Sequence, residues 1–273
     1  MAEGSSLLVA TAQGTDYASV DNLFEQSCKK LAEAHALYPT DSQILSEWGD
    51  GLSEHATSKI AATAKSRKVL SPAQLEQAQS LFRESYGKYE DSLSLSQMDL
   101  DRDIVLSNYG LALSDHAMVA EPAESKDLFA RSYEKYRLAA SLKPDNVLTQ
   151  CNLAMTYVLH SCTLADAAER EQLWASAEEI LNTQVLKNDY WTYFCMARLA
   201  SVRGHEAACQ AWLEKCAKKN YLAKRTKWFC VHFANVKRAP WFRAMKQAQT
   251  GERTREREVL ANLFAQQEEE AQA

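Results

Sequence analysis

With 273 residues, 46% of them hydrophobic, and a formal net charge of -5, the chain can bury a continuous core either as one or two globular domains or as a repeat array. Its seven cysteines are odd in number, form no CxxC pair and sit mostly in apolar helical phrases, which argues against a secreted disulfide framework and for reduced thiols in a cytoplasm-like compartment. Eight glycines and five prolines are few beside the helix-favouring Ala, Leu, Glu, Gln and Lys, and no stretch is long and apolar enough to cross a bilayer, so an all-α chain without a membrane span is expected.

Residues 1–15 read as a flexible tail, because the short apolar run Leu7 to Ala12 has no basic region before it and is neither a signal peptide nor a span. The first helix is predicted from Tyr17 to Leu37 and carries Leu23-Phe24-x-x-Ser27-x-x-Lys30. Pro39-Thr40-Asp41 ends it and caps the next, which starts near Ser42 with Leu45-Ser46-x-Trp48-Gly49-x-x-Leu52-Ser53-Glu54-His55-Ala56. Residues Thr57 to Gln79 are extra, helix-forming and broken at Ser71-Pro72, where serine suits an N-cap and proline the first helical position; they predict an extended hairpin over 42–96. The first phrase returns as Leu81-Phe82-x-x-Ser85-x-x-Lys88 and Leu128-Phe129-x-x-Ser132-x-x-Lys135, and the second as Leu106-Ser107-x-Tyr109-Gly110-x-x-Leu113-Ser114-Asp115-His116-Ala117.

A third hairpin follows Lys143-Pro144-Asp145-Asn146, with helices from Val147 to His160 and from Ala167 to Leu186, the latter holding a degenerate copy at Leu173-Trp174-x-x-Ala177. The fourth runs from Tyr193 to Cys216, turning at Gly204, with small Ala197, Cys209 and Cys216 set against large Tyr193, Met196 and Leu213. Residues 217–246 form an aromatic and basic cap that includes Lys224, Arg225, Lys227, Lys237 and Arg238, and 247–273 a charged tail. From Gly204 to Arg257 there are thirteen Lys or Arg against four Glu, whereas the remainder has eighteen basic and thirty-two acidic residues, so the array is acidic and its last part basic.

Two different helices therefore alternate over 16–246, the pattern of a helical-hairpin solenoid. The spacing places Leu31, Tyr89, Tyr136 and Leu181, with the later Leu37, Leu95 and Leu142, on a core face of each second helix. Gly49 and Gly110 lie inside helices, where glycine costs about 1 kcal/mol relative to alanine; close approach of a partner helix accounts for the cost, with Trp48 and Tyr109 filling the space between helices.

Motifs for chemistry are missing: no Gly-rich phosphate loop, GxSxG or HExxH occurs, and no catalysis, metal or cofactor is expected. His55 and His116 recur beside Glu54 and Asp115 at matching places, which favours shared packing or capping over acid-base work. His205, Cys209, Cys216, Cys230 and His232 cluster in sequence, but Cys209 and Cys216 already serve as small core residues. Lys and Arg interleave with Trp228, Phe229, Phe233, Trp241 and Phe242, a combination suited to single-stranded nucleic acid, yet the ring spacing fits a buried cap better, so nucleic acid is disfavoured as a partner.

At these residues the chain resembles the tetratricopeptide repeat (TPR) superfamily. Pro39 and Pro144 match the proline that ends the repeat, Ser132, Tyr136 and Ala139 its second helix, and Tyr193 to Cys216 nearly a whole unit; the likeness covers Asn22 to Phe242 and departs at the extended hairpin and at Gln97. It implies an all-α, TPR-like α-solenoid of antiparallel helix hairpins, and an adaptor or scaffold that binds a peptide or protein on its concave face. The inward-facing candidates are then Ser46, Glu47, Asp50 and Glu54, then Ser107, Asn108 and Asp115, then Thr149 and Gln150. They are neutral or acidic, unlike the basic clamp with which relatives hold the acidic tails of Hsp70 or Hsp90, so a basic or amphipathic helical ligand is expected and an acidic chaperone tail is not. The stretch from Phe24 through Pro39-x-Asp41 to Trp48-Gly49, with its long hairpin, also resembles the plant-type Tom20 mitochondrial import receptor, although no membrane anchor is seen and the array continues further. The alternatives implied are a targeting-peptide receptor without an anchor, or a structural subunit of a mitochondrial or other organellar assembly.

Overall fold

A computed structural model describes residues 17–66, 70–95, 101–185, 189–218, 233–245 and 247–248. Among them there are nine long helices and no strand: α1 (Tyr17–Leu37), α2 (Ser42–Ser66), α3 (Pro72–Leu95), α4 (Arg102–Ala117), α5 (Pro122–Leu142), α6 (Val147–Ser161), α7 (Ala167–Val185), α8 (Tyr190–Val202) and α9 (Glu206–Ala217). The chain divides between Ala165 and Asp166 into two compact units. The expected third hairpin straddles that division.

Local chemistry sets the boundaries. Asp41 accepts the backbone N–H groups of Gln43 and Ile44 at 2.9 and 3.4 Å, capping α2. At the start of α3 the capping is reciprocal: Gln74 N–H donates to Ser71 Oγ at 3.3 Å while Ser71 N–H donates to Gln74 Oε1 at 3.0 Å, and Pro72, which has no N–H to lose, takes the first helical position. Asn146 and Asp189 cap α6 and α8 one way, accepting the backbone N–H groups of Thr149 and Trp191. Because two orphan donors depend on one hydroxyl and one amide, Ser71→Ala should lower unfolding free energy by about 1 kcal/mol, as measured by urea denaturation. α2 has 25 residues and α3 has 24, against 16 in α4 and 21 in α5.

In the first unit each helix packs on the next from α1 to α6, and the first helices of successive pairs also touch, α2 on α4 and α4 on α6. Two kinds of seam repeat. Within a pair, the second helix lays a tyrosine against the glycine of the first: a Cβ on Gly49 would come within 2.8 Å of the Tyr89 ring, and one on Gly110 within 2.9 Å of the Tyr136 ring. The lysine before each tyrosine covers the aromatic residue before each glycine, with Lys88 Nζ 3.8 Å from the Trp48 ring centre and Lys135 Nζ 4.6 Å from that of Tyr109. Ser132 Oγ also donates to the Gly110 carbonyl at 2.7 Å. The lysine of the repeated phrase and the tyrosine after it are thus the second helix's half of this seam.

Between pairs, the phenylalanine of the phrase stacks on a histidine of the following helix. Phe24 faces His55 at 4.8 Å, Phe82 faces His116 at 5.1 Å and Phe129 faces His160 at 4.4 Å, all near parallel. In the second and third joints a tyrosine one turn after the phenylalanine meets the histidine Nδ1, Tyr86 with His116 and Tyr133 with His160, each at 2.8 Å. Cys28 occupies that place in α1, and His55 instead uses its Nε2, 3.0 Å from Asp21, which Lys59 also holds at 2.8 Å. The shared-packing reading of His55 and His116 is therefore what their geometry displays.

One expectation is overturned. Leu37, Leu95 and Leu142 do not join the core; all three are exposed, each being the last residue of its helix, where packing neighbours run out. Tyr89, Tyr136 and Leu181, by contrast, are fully buried as expected.

The second unit is built on the α8–α9 hairpin. Gly204 has φ +78° in the turn, and His205 N–H donates back to the Ala200 carbonyl at 2.8 Å, a closure that a side-chain-bearing residue at 204 would strain. Phe194, Cys209, Leu213 and Cys216 form a core closed by Phe233, Val236 and Phe242, with Trp241 packed against it half-buried. Trp228 and Phe229 lie outside the described residues. Arg203 ties the end of α8 to α7, reaching Glu178 at 2.5 Å and also Glu171.

Candidate functional site

The expected partner-binding residues fall on the first helices of the pairs in the first unit, and the structure sorts them into two groups. Asp50 on α2 and Asn108 on α4 meet directly. Asn108 Nδ2 donates to Asp50 Oδ2 at 3.0 Å, and Tyr89 Oη from α3 donates to Asp50 Oδ1 at 2.7 Å, with Ser53 Oγ 3.4 Å from the same phenol. Burial pushes the Asp50 carboxyl up to about 6, the two hydrogen bonds work against that rise and nearby Glu47 adds to it. Both carboxylate oxygens are engaged, so Asp50 is a tie among three helices. Sequence reading found Asp50 and Asn108 but not Tyr89, whose place in a core phrase gave no sign that its hydroxyl reaches a carboxylate.

Ser46, Ser107 and Thr149 are buried and offer little surface. Glu47 is half-buried and accepts Gln43 Nε2 at 3.0 Å; Glu54 is exposed and Asp115 half-buried. Gln150 is half-buried and its Nε2 donates to the Pro144 carbonyl at 3.4 Å. Glu54 and Asp115 each directly precede a stacked histidine, so the repeat puts a carboxylate at the same place on consecutive first helices. His160, the third stacked histidine, escaped sequence reading, although the interval from Phe129 to His160 equals that from Phe24 to His55.

In the second unit Lys237 and Arg238 are exposed, while Lys224, Arg225 and Lys227 lie outside the described residues. Trp241 Nε1 donates to Glu206 at 2.8 Å, which uses its indole within the fold. Cys209 and Cys216 are fully buried, and burial pushes both thiols up to about 12, far from the thiolate needed for nucleophilic attack or metal ligation. His205 sits in the turn before α9, and Cys230 and His232 lie outside the described residues.

No protein-family profile, curated protein or solved structure matches this chain. The geometry defines a class: an all-helical chain whose consecutive helices pack in adjacent pairs through contacts repeated from pair to pair. No described helix is long and apolar enough to cross a membrane.

Proposed function

We propose that the chain is a TPR-like array of helix hairpins that acts as a non-catalytic adaptor, holding a peptide or protein partner against the face of α2, α4 and α6. The observation that carries this reading is the recurrence of a carboxylate at matched, solvent-reachable places on consecutive first helices, Glu54 and Asp115, with Glu47 beside them. Such a face attracts a basic or amphipathic helical ligand and repels an acidic tail. Described cysteines that are all free thiols suit a reducing compartment.

The test reverses charge without disturbing the buried tie. A Glu47→Lys/Glu54→Lys/Asp115→Lys variant keeps Asp50, and should bind the partner captured by the wild-type protein about tenfold more weakly, with a smaller dependence on salt. Unchanged affinity and unchanged salt dependence would remove this face as the binding surface. The long α2–α3 hairpin favours a second reading, a structural subunit of a larger assembly. Size exclusion of native extract separates the two, since a stable large complex supports the subunit and a free monomer the adaptor.

A further inference from the structure

The end of the first unit where one helix pair is joined to the next carries a row of exposed apolar side chains. Three hydrogen bonds make that end one continuous edge. Ser92 Oγ donates to the Ser42 carbonyl at 2.8 Å, Arg102 Nη1 to the Leu93 carbonyl at 2.6 Å, and Asn146 Nδ2 to Asp103 Oδ2 at 2.9 Å. Along it Leu37, Leu95 and Leu142 end α1, α3 and α5 at one fixed interval after the stacked Phe24, Phe82 and Phe129, while Ile104 and Leu148 open α4 and α6. These five are 42% to 74% exposed, and Tyr38 and Leu138 extend the row. At the opposite end of the same pairs only Met118, among the described residues, is a large exposed hydrophobic side chain. A lone exposed leucine needs no explanation; leucines repeated at matched places in three consecutive second helices do.

The surrounding charge selects the occupant. Asp41, Asp91, Asp101 and Asp145 are exposed along the edge against Lys143, while Arg102 is half-buried and directed at a carbonyl. We propose that this edge docks a basic amphipathic helix of a partner protein, with leucine-like residues on the row and lysine or arginine over the aspartates. Packed helices lie about 8–10 Å apart and a helix rises about 1.5 Å per residue, so rungs from neighbouring helices match anchors about seven residues apart in the ligand. The inference rests on the partner-binding role proposed above, but uses a different surface from Glu47, Glu54 and Asp115, so each can fail without the other.

The probe is a labelled helical peptide of about three heptads, with leucines at the heptad core positions and lysines elsewhere, titrated into the full chain by fluorescence anisotropy. The controls are the same peptide with glutamates for lysines and a scrambled one of equal composition. The heptad-patterned basic peptide should bind, and a Leu37→Ser/Leu142→Ser/Leu148→Ser variant of unchanged helicity should lose at least about tenfold in affinity, whereas the Glu47→Lys/Glu54→Lys/Asp115→Lys variant keeps most of it. An Asp91→Lys/Asp101→Lys variant, which leaves the leucines in place, should lose affinity similarly and keeps the test decisive if the serine variant does not fold. Absence of binding, equal binding of the acidic or scrambled peptide, or equal binding by these edge variants overturns the proposal. So does self-association of the wild-type chain in sedimentation that the serine variant abolishes, because a second copy would then be the occupant.

Discussion

Replacing Tyr136 by alanine should lower the unfolding free energy by about 3–5 kcal/mol, the cost of removing a fully buried ring and leaving a cavity in the α4–α5 seam. A sharper result comes from pairing it with Gly110→Ala. In the wild-type background that methyl group would lie 2.9 Å from the Tyr136 ring, which is fully buried and has nowhere to swing, so the substitution should destabilise by about 1–3 kcal/mol even though alanine is the better helix former. With Tyr136 already alanine the clash is gone and only the helix preference remains, so Gly110→Ala should then stabilise by up to about 1 kcal/mol. The sign should reverse between backgrounds in urea unfolding of the four proteins. If Gly110→Ala has the same effect in both, the close approach is not the reason for the glycine.

The second large effect is a pair of opposed titrations. Burial, with Arg83 and Arg131 contributing, pushes His116 from an ordinary 6.5 down to about 4, so the folded chain holds fewer protons than the unfolded one between those values, and stability falls as pH drops through that window. Asp50 goes the other way. Its carboxyl rises from 3.8 to about 6, so its contribution is fully present below 3.8 and is lost as pH climbs through 6. Each change is worth about 3 kcal/mol, and in the wild-type chain the two largely cancel between about pH 4 and 6. Substitution should unmask them. In Asp50→Asn, acidification from pH 6.5 to 4 should cost about 3 kcal/mol more than in the wild type, and in His116→Phe it should cost about 3 kcal/mol less. The comparison is of slopes, so a constant offset from either substitution does not affect it. Parallel pH profiles for all three proteins would show that neither group titrates across this window.

Much of this architecture was legible in the letters. The caps at Asp41 and Ser71, the turn at Gly204 and the close approach at Gly49 and Gly110 follow from single residues whose chemistry permits few alternatives at those positions. Periodicity was a weaker guide at helix ends. Leu37, Leu95 and Leu142 keep the spacing of core residues, but spacing describes an angle around the helix axis and says nothing about whether a neighbour extends far enough to cover that height. The binding face was half legible for a related reason. Charge type identified Asp50, Glu47 and Glu54 as candidates, yet only three-dimensional contact shows that both oxygens of Asp50 are taken by Tyr89 and Asn108, while Glu54 is exposed on the surface.

The repeated ring stacks also bear on how the chain acquires its structure. Tyr133 and His160 are 27 residues apart, Tyr86 and His116 are 30 apart, and Ser132 reaches a carbonyl 22 residues earlier. Seams of such short span close little loop and lose little entropy in doing so, which favours rapid folding. During synthesis each seam can form as soon as its second helix has emerged, so the first unit can assemble from its N-terminal side in the order in which it is translated.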